Sequence, residues 1–231
     1  MRKLAPATGE VDDLESLYAP PDGRHLRMGF VQSVDGAIAV SGKSKGLQSP
    51  ADLRVFRTLR SVSDAVLVGA GTARHEGYGP VRLTPEGQAW RERTGRPPDP
   101  PLVVVSASGG RGLDPERLAP STLVLTSEAG ARATDVPFEQ IACGIDQVDL
   151  AAGLDELAAR GYTRLVCEGG PMLFSDLLAA GLVDELCLTI SPLLAGGLPP
   201  LLAVPPAEPA QLRLLSLLQE DDVLLSRWAL G

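Results

Sequence analysis

Between Asp64 and Thr72 the chain reads Asp-Ala-Val-Leu-Val-Gly-Ala-Gly-Thr, an apolar run broken at once by a glycine-rich turn that ends in a hydroxyl. Ala65 to Val68 shows no polar alternation, which suits a strand buried on both faces, as in a parallel sheet. Gly69 and Gly71 permit backbone angles closed to other residues, and Thr72 can offer an acceptor to a new helix start. Where such a strand meets a helix, free backbone amides and the helix dipole converge, and α/β folds hold phosphates there. An ordinary tight turn fits the same residues, so the rest of the chain must decide.

The chain has 231 residues, 44% of them hydrophobic, enough for a substantial core in one domain. No apolar run approaches the roughly 20 residues that cross a bilayer, and Met1 to Glu15 lacks the apolar core of a signal peptide, so the expected location is the cytoplasm. Cys143, Cys167 and Cys187 lie far apart with no Cys-x-x-Cys, and His25 and His75 are the only histidines. Reduced core thiols and no metal site are expected. The net charge of −8 argues against a nucleic-acid surface. An anionic small ligand remains open, because a pocket's local charge need not follow the total.

Met1 to Arg24 mixes Pro, Gly and acidic residues without periodicity and reads as a loosely packed arm, able to cross a neighbouring subunit. Leu26 to Ser33 is the first strand, and Val34-Asp35-Gly36 places a carboxylate at its carboxyl end. Asp35 is either ligand-facing or a turn residue bonding its own backbone. Ser49-Pro50-Ala51-Asp52 is a helix start with cap, first-position proline and first-turn acid. Leu53, Phe56 and Leu59 give that helix an apolar side, and Arg54, Arg57 and Arg60 lie along another, as a solvated face or as a phosphate contact.

Arg74 to Pro101 is a long polar loop interrupted by a short helix from Pro85 to Arg93. Leu102 to Val105 resumes as a strand, and Ser106-Ala-Ser108-Gly-Gly-Arg111 after it suits either a 2′-phosphate such as that of NADP or a plain polar turn. Thr122 to Thr126 and the neighbourhood of Phe138 to Ala142 are further strands. Asp149 caps a helix from Leu150 to Arg160 that Gly161 closes. Thr163 to Cys167 then breaks at Glu168-Gly169-Gly170-Pro171 into a helix from Met172 to Ala180, repeating the logic of the opening stretch. Glu168 would repel a phosphate there, so it is expected on neutral or donor groups of cofactor or substrate. Glu185 to Ile190 is another strand, and Leu212 to Leu218 with Val223 to Ala229 flank Gln219 to Asp222 as an edge hairpin. The fold class is α/β, a three-layer, mostly parallel sheet with a C-terminal antiparallel hairpin.

Taken in order, Ser33-Val34-Asp35-Gly36, Ser49-Pro50, Phe56-Arg57-Thr58-Leu59-Arg60, Asp64 to Thr72, Glu168-Gly-Gly-Pro171, Gly181-Leu-Val-Asp-Glu185 and Ser191-Pro192 resemble the reductase domain of the riboflavin-biosynthesis deaminase-reductase. The resemblance covers Leu26 to the carboxyl end, implying an arm over residues 1–25 and a single reductase domain over 26–231 with a dihydrofolate-reductase-like fold. It further implies NADPH binding, reduction of a ribosylamino-pyrimidine phosphate of the 5-amino-6-ribosylaminouracil type, and a homodimer. No His-x-Glu with Pro-Cys-x-x-Cys appears, so zinc deamination is not expected. Ala37 stands where the family usually carries a basic residue, and Arg74-His-Glu-Gly-Tyr-Gly-Pro80 replaces its acidic segment, as in a monofunctional, actinobacterial-type branch. On this reading Gly69, Gly71, Thr72, Gly169 and Gly170 would hold NADPH, with Ser106, Ser108 or Arg111 near its 2′-phosphate. Asp35 would orient the pyrimidine or deliver a proton through water, Ser33, Ser49 and Arg57 would approach substrate, and Glu168 would lie near the nicotinamide. The alternatives are a reductase of dihydrofolate or another pteridine on the same fold, and a non-catalytic NADPH-binding module.

Overall fold

Alternate residues of the strand at Ala65–Gly69 fall into two separate cores: Val66 and Val68 pack on one face of the sheet, Ala65 and Leu67 on the other. A strand apolar on both faces needs helices above and below it, and the computed structural model, which describes residues 1–231, provides them. In chain order the elements are β1 (Arg2–Ala5), β2 (Gly9–Glu10), α1 (Leu14–Tyr18), β3 (His25–Ser33), α2 (Pro50–Val62), β4 (Ala65–Gly69), α3 (Ala70–Glu76), α4 (Pro85–Arg93) and β5 (Leu102–Val105). There follow β6 (Leu123–Thr126), α5 (Glu128–Arg132), β7 (Glu139–Ala142), α6 (Leu150–Ala159), β8 (Arg164–Cys167), α7 (Pro171–Ala179), β9 (Glu185–Ser191), β10 (Leu212–Glu220) and β11 (Val223–Leu230). Val55 and Leu59 of α2 join the first core, with Tyr18 and Trp90; Leu154 and Leu157 of α6 and Leu173 and Leu177 of α7 join the second.

All strands lie in one sheet of order β2-β1-β10-β11-β9-β3-β8-β4-β5-β6-β7. From β9 to β7 every pairing is parallel, and β11, β10, β1 and β2 add antiparallel partners on the other side. The expected mostly parallel, three-layer α/β sheet with a C-terminal hairpin is what the chain forms. The hairpin is not the edge, however, because the amino-terminal residues pair with β10 and continue the sheet.

The loosely packed arm is also corrected. Tyr18 is fully buried, and the last turn of α1 is clamped by two arginines: Arg27 donates to the Tyr18 carbonyl and Arg227 to that of Leu17. Both guanidinium groups pair with the buried Glu185. The arm is thus bound to its own chain through groups that would be costly to bury alone. No helix is long and apolar enough to cross a membrane.

Candidate active site

Parallel strands end together, and the space beyond their carboxyl ends is where α/β sheets open a crevice. Here a cleft of about 750 Å³ lies over the middle of β3 and β9 and part of β11, beyond the carboxyl ends of β4 and β8, bordered by α2, α3 and the polar loop Ser41 to Leu47. One wall consists of the two glycine turns. Gly69 N donates to the Gly169 carbonyl at 2.7 Å, knitting the turn after β4 to the turn after β8. Gly169 has φ +89°, and a Cβ on it would stand 2.8 Å from the Phe30 ring; a Cβ on Gly170 would stand 2.4 Å from Thr72 Oγ1. The peptide joining these two glycines is cis. Only glycine fits at either position without displacing the wall. Gly71, Thr72 and Gly170 face the cleft, whereas Gly69 and Gly169 hold the turns together behind it.

Ser49, Thr84, Ser127, Asp13 and Asp149 cap their helices with side chains, but α7 begins at Gly170 with no side-chain cap. α3 likewise begins at Gly69 with no side-chain cap, and the amides of Gly71 and Thr72 in its first turn lie at the cleft wall, where a dinucleotide's pyrophosphate would satisfy them. A backbone cradle closed to Cβ atoms, beside uncapped amides and the Thr72 hydroxyl, fits such a cofactor. Register extends the same edge: Gly69 pairs with Val105, so the Ser106 to Arg111 loop starts beside the opening turn. Within it Ser106 Oγ accepts the Gly110 amide at 2.9 Å and is buried, while Ser108 and Arg111 are exposed. Arg74 of α3 reaches this loop and donates to the Arg111 carbonyl at 3.2 Å. Neither Arg74 nor Arg111 has an acidic partner, so two free cations stand at this end of the site.

Helical phase selects which residues of α2 reach the cleft. Asp52, Val55, Phe56, Leu59 and Arg60 repeat at three- and four-residue steps and line it, while Arg54 and Arg57 point to solvent. Arg60 makes a two-pronged contact with Glu168, Nε to Oε1 at 2.6 Å and Nη2 to Oε2 at 2.7 Å, and Tyr78 donates its hydroxyl to Oε2 at 2.7 Å. Arg60 also lies over the Phe56 ring, 4.2 Å from its centre. Burial first, and the Glu168 charge second, push the Tyr78 hydroxyl well above its usual range, so Tyr78 stays a donor.

Several expected roles change. Glu168 lies at the cleft as expected, with its two oxygens engaged by Arg60 and Tyr78. Asp35 accepts from Ser33 Oγ at 2.5 Å and from the amides of Ala195 at 3.0 Å and Gly196 at 2.7 Å. These bonds, the Ser33 hydroxyl foremost, lower its pKa to about 2; such a group is a poor acid near neutrality and here clasps the loop after β9. Ser33 is buried, its hydroxyl held between Asp35 and the Ala37 amide, and Ser49 is engaged in capping α2. With Arg57 exposed, none of the three residues expected at the substrate borders the cleft.

In their place the structure brings Asp52, Lys43 and Lys45. Asp52 is 6% exposed and forms no ion pair. Burial pushes its carboxyl up to about 6, opposed by the Thr189 hydroxyl of β9. Lys43 and Lys45 border the mouth without acidic partners. Their loop is tied down by α3, where the His75 ring meets the Gly42 carbonyl and Glu76 accepts the Ser44 amide. The one sequence signal for Asp52 was its phase with Val55, Phe56 and Leu59; Arg60 shared that phase too.

Known proteins share this architecture and its sequence. The chain is 31% identical over 172 residues to 2,5-diamino-6-ribosylamino-4(3H)-pyrimidinone 5′-phosphate reductase of Archaeoglobus fulgidus, covering 71% of this chain and 78% of that protein. The crystal structure of a pyrimidine reductase-like protein from Corynebacterium diphtheriae superposes with a TM-score of 0.80 at 28% identity, covering 94% of this chain and 98% of that one. A Thermotoga maritima protein described as a deaminase and 5-amino-6-(5-phosphoribosylamino)uracil reductase shares the fold, with a TM-score of 0.70 at 20% identity over 90% of this chain and 57% of that one. Residues 24–225 match the family model of the RibD C-terminal domain, and the chain belongs to that family.

Proposed function

We propose that this chain is an NADPH-dependent reductase of a phosphorylated ribosylamino-pyrimidine, acting in riboflavin biosynthesis in the cytoplasm. The observation that carries the reading is the pair of interlocked glycine turns, Gly69 to Thr72 and Gly169 to Pro171, forming one wall of a cleft whose other surfaces carry pyrimidine-sized polar and aromatic groups. When bound, the nicotinamide supplies a hydride, chemistry that no side chain can perform. The protein's part is to hold and orient. Gly71, Thr72 and Gly170 would receive the pyrophosphate, and Arg74 with Arg111 and Ser108 the 2′-phosphate. Lys43 and Lys45 are the free cations at the cleft mouth and would take the substrate's phosphate, in place of the exposed Arg57. Phe30, Phe56 and the Arg60–Glu168–Tyr78 cluster would make a half-buried aromatic and polar surface for the ring.

A homodimer accompanies this reading. Val34, Leu194 and Leu198 are 62%, 81% and 71% exposed on neighbouring loops joined by the bond from Val34 N to the Leu193 carbonyl, a surface suited to a second copy. The cofactor assignment is tested by titrating NADPH and NADH into the protein. NADPH should bind at least about tenfold more tightly, as expected for a charge-assisted phosphate contact, and Arg74→Ala with Arg111→Ala should remove the difference. Equal affinities in the unaltered chain would refute it.

A further inference from the structure

Three carboxylates border the cleft, those of Asp52, Glu76 and Glu168. Glu168 is engaged by Arg60 and Tyr78, and Glu76 accepts the Ser44 amide at 3.0 Å. Asp52 stands apart. Its amide is bound to Ser49 Oγ at 3.1 Å, but its side chain, on a residue 6% exposed at the cleft, forms no ion pair, and the Thr189 hydroxyl is the one group that opposes the effect of its burial. An ionised carboxylate is an acceptor with no donor of its own, and burying it unpartnered is unfavourable. A ligand presenting two adjacent N–H groups relieves that cost, and one presenting an oxygen adds to it.

Resting on the reductase reading above, we propose that Asp52 is the specificity-determining residue for the ring edge of the substrate, selecting a 2-amino-4-oxopyrimidine over a 2,4-dioxopyrimidine. The two rings differ at one position. A 2-amino-4(3H)-pyrimidinone offers its N3–H and its 2-amino N–H side by side, matching both carboxylate oxygens of Asp52. The dioxo ring keeps N3–H but turns the neighbouring group into a carbonyl, setting oxygen against oxygen at a carboxylate residue only 6% exposed. The choice also orders two reactions. A hydrolytic deaminase working first would hand this chain the disfavoured ring, so removal of the 2-amino group belongs after the reduction.

The test compares the full chain's kcat/KM, with saturating NADPH, for the 2-amino and 2-oxo ribosylamino-pyrimidine phosphates. Calorimetric binding of the corresponding ribityl products to the cofactor-free protein supplies a second readout. The unaltered chain should prefer the 2-amino ring by about ten- to a hundredfold, the range of one hydrogen bond to a charged group. Asp52→Asn keeps the shape and supplies an amide that donates to C2=O while accepting from N3–H, so the preference should move toward the dioxo ring. Thr189→Val, which leaves the carboxylate in place, should shrink the preference without inverting it. Equal use of both rings by the unaltered chain, or an Asp52→Asn protein with undiminished preference, would overturn the proposal. If neither ring is reduced, the reductase reading fails instead, and the product-binding comparison still decides what Asp52 selects.

Discussion

Replacing Arg60 with alanine would leave the Glu168 carboxylate, whose side chain is 2% exposed, with the Tyr78 hydroxyl as its remaining side-chain partner. Removing one member of a buried ion pair costs about 3–5 kcal/mol, because the other charge stays desolvated. Arg60 itself is 16% exposed, so some water reaches the vacated site and the lower end applies, about 3 kcal/mol. For a chain of 231 residues that corresponds to a fall in Tm of roughly 6–12 °C. Arg54→Ala is the internal control: it sits on the same helix and also pairs with a glutamate, Glu220, but its side chain is 44% exposed. An exposed pair contributes about 1 kcal/mol or less. The assay is reversible urea unfolding of both variants, with the Arg60→Met, Glu168→Gln double variant recovering most of the loss because no bare charge remains. An Arg60→Ala loss below about 1 kcal/mol, equal to that of Arg54→Ala, would refute the reading of this cluster as a desolvated, rigid wall.

Gly170→Ala places a methyl against Thr72 Oγ1, 2.4 Å away before relaxation, and should weaken NADPH binding by at least about tenfold while the fold persists; unchanged affinity in a titration would count against the glycine wall. Asp52 has a folded-state value near 6 against an unfolded 3.8, so the folded chain holds that proton more tightly, and stability falls as pH rises through this window. Asp52→Asn removes that loss. Its advantage over the unaltered chain should grow between about pH 4 and 6 to as much as about 3 kcal/mol, and a difference in Tm that is flat with pH would contradict the assignment. Asp35 behaves oppositely: its lowered value means its contribution is present above about pH 4 and is lost as pH falls toward 2. Asp35→Ala should speed hydrogen exchange at the Ala195 and Gly196 amides while leaving NADPH affinity unchanged, and unaltered exchange there would show that the clasp is not what holds the loop.

Much of this fold was legible because its signals are local. Ala65 to Val68 announces a strand buried on both faces, Ser49-Pro50 and Asp149 announce helix starts, and Gly161 an end; each is fixed by neighbours within a few residues. The amino-terminal arm was not legible. β1 is a strand because β10, more than two hundred residues away in the chain, offers it an edge, and no periodicity within four residues can show that. The site divides along the same line. The glycine turns were visible from backbone chemistry alone, but the partners that engage Glu168 come from positions 60 and 78, brought together only when α2 and the segment after α3 pack over β8. Asp52 was harder still. A first-turn acid on a capped helix has a sufficient local explanation in the helix dipole, and only the packing of α2 over β3 and β11 buries it near Thr189. Asp35 is the complementary case: a carboxylate at a strand end faces ligands in many α/β sheets, and the loop after β9, distant in sequence, folds back to donate to it.

The central claim is that the cleft between the two glycine turns reduces a phosphorylated ribosylamino-pyrimidine with NADPH. It is tested most directly by incubating the purified chain with that substrate and NADPH, following loss of the reduced nicotinamide absorbance, and weighing the product. One NADPH should be consumed for each substrate that gains two hydrogens, a hydride at the anomeric carbon and a proton on the ring oxygen released as the ribosyl ring opens, with dihydrofolate turned over more slowly. NADPH that binds but is not consumed with either ring form would contradict it and favour a cofactor-binding module without catalysis, whereas faster turnover of dihydrofolate would contradict it in favour of a pteridine reductase.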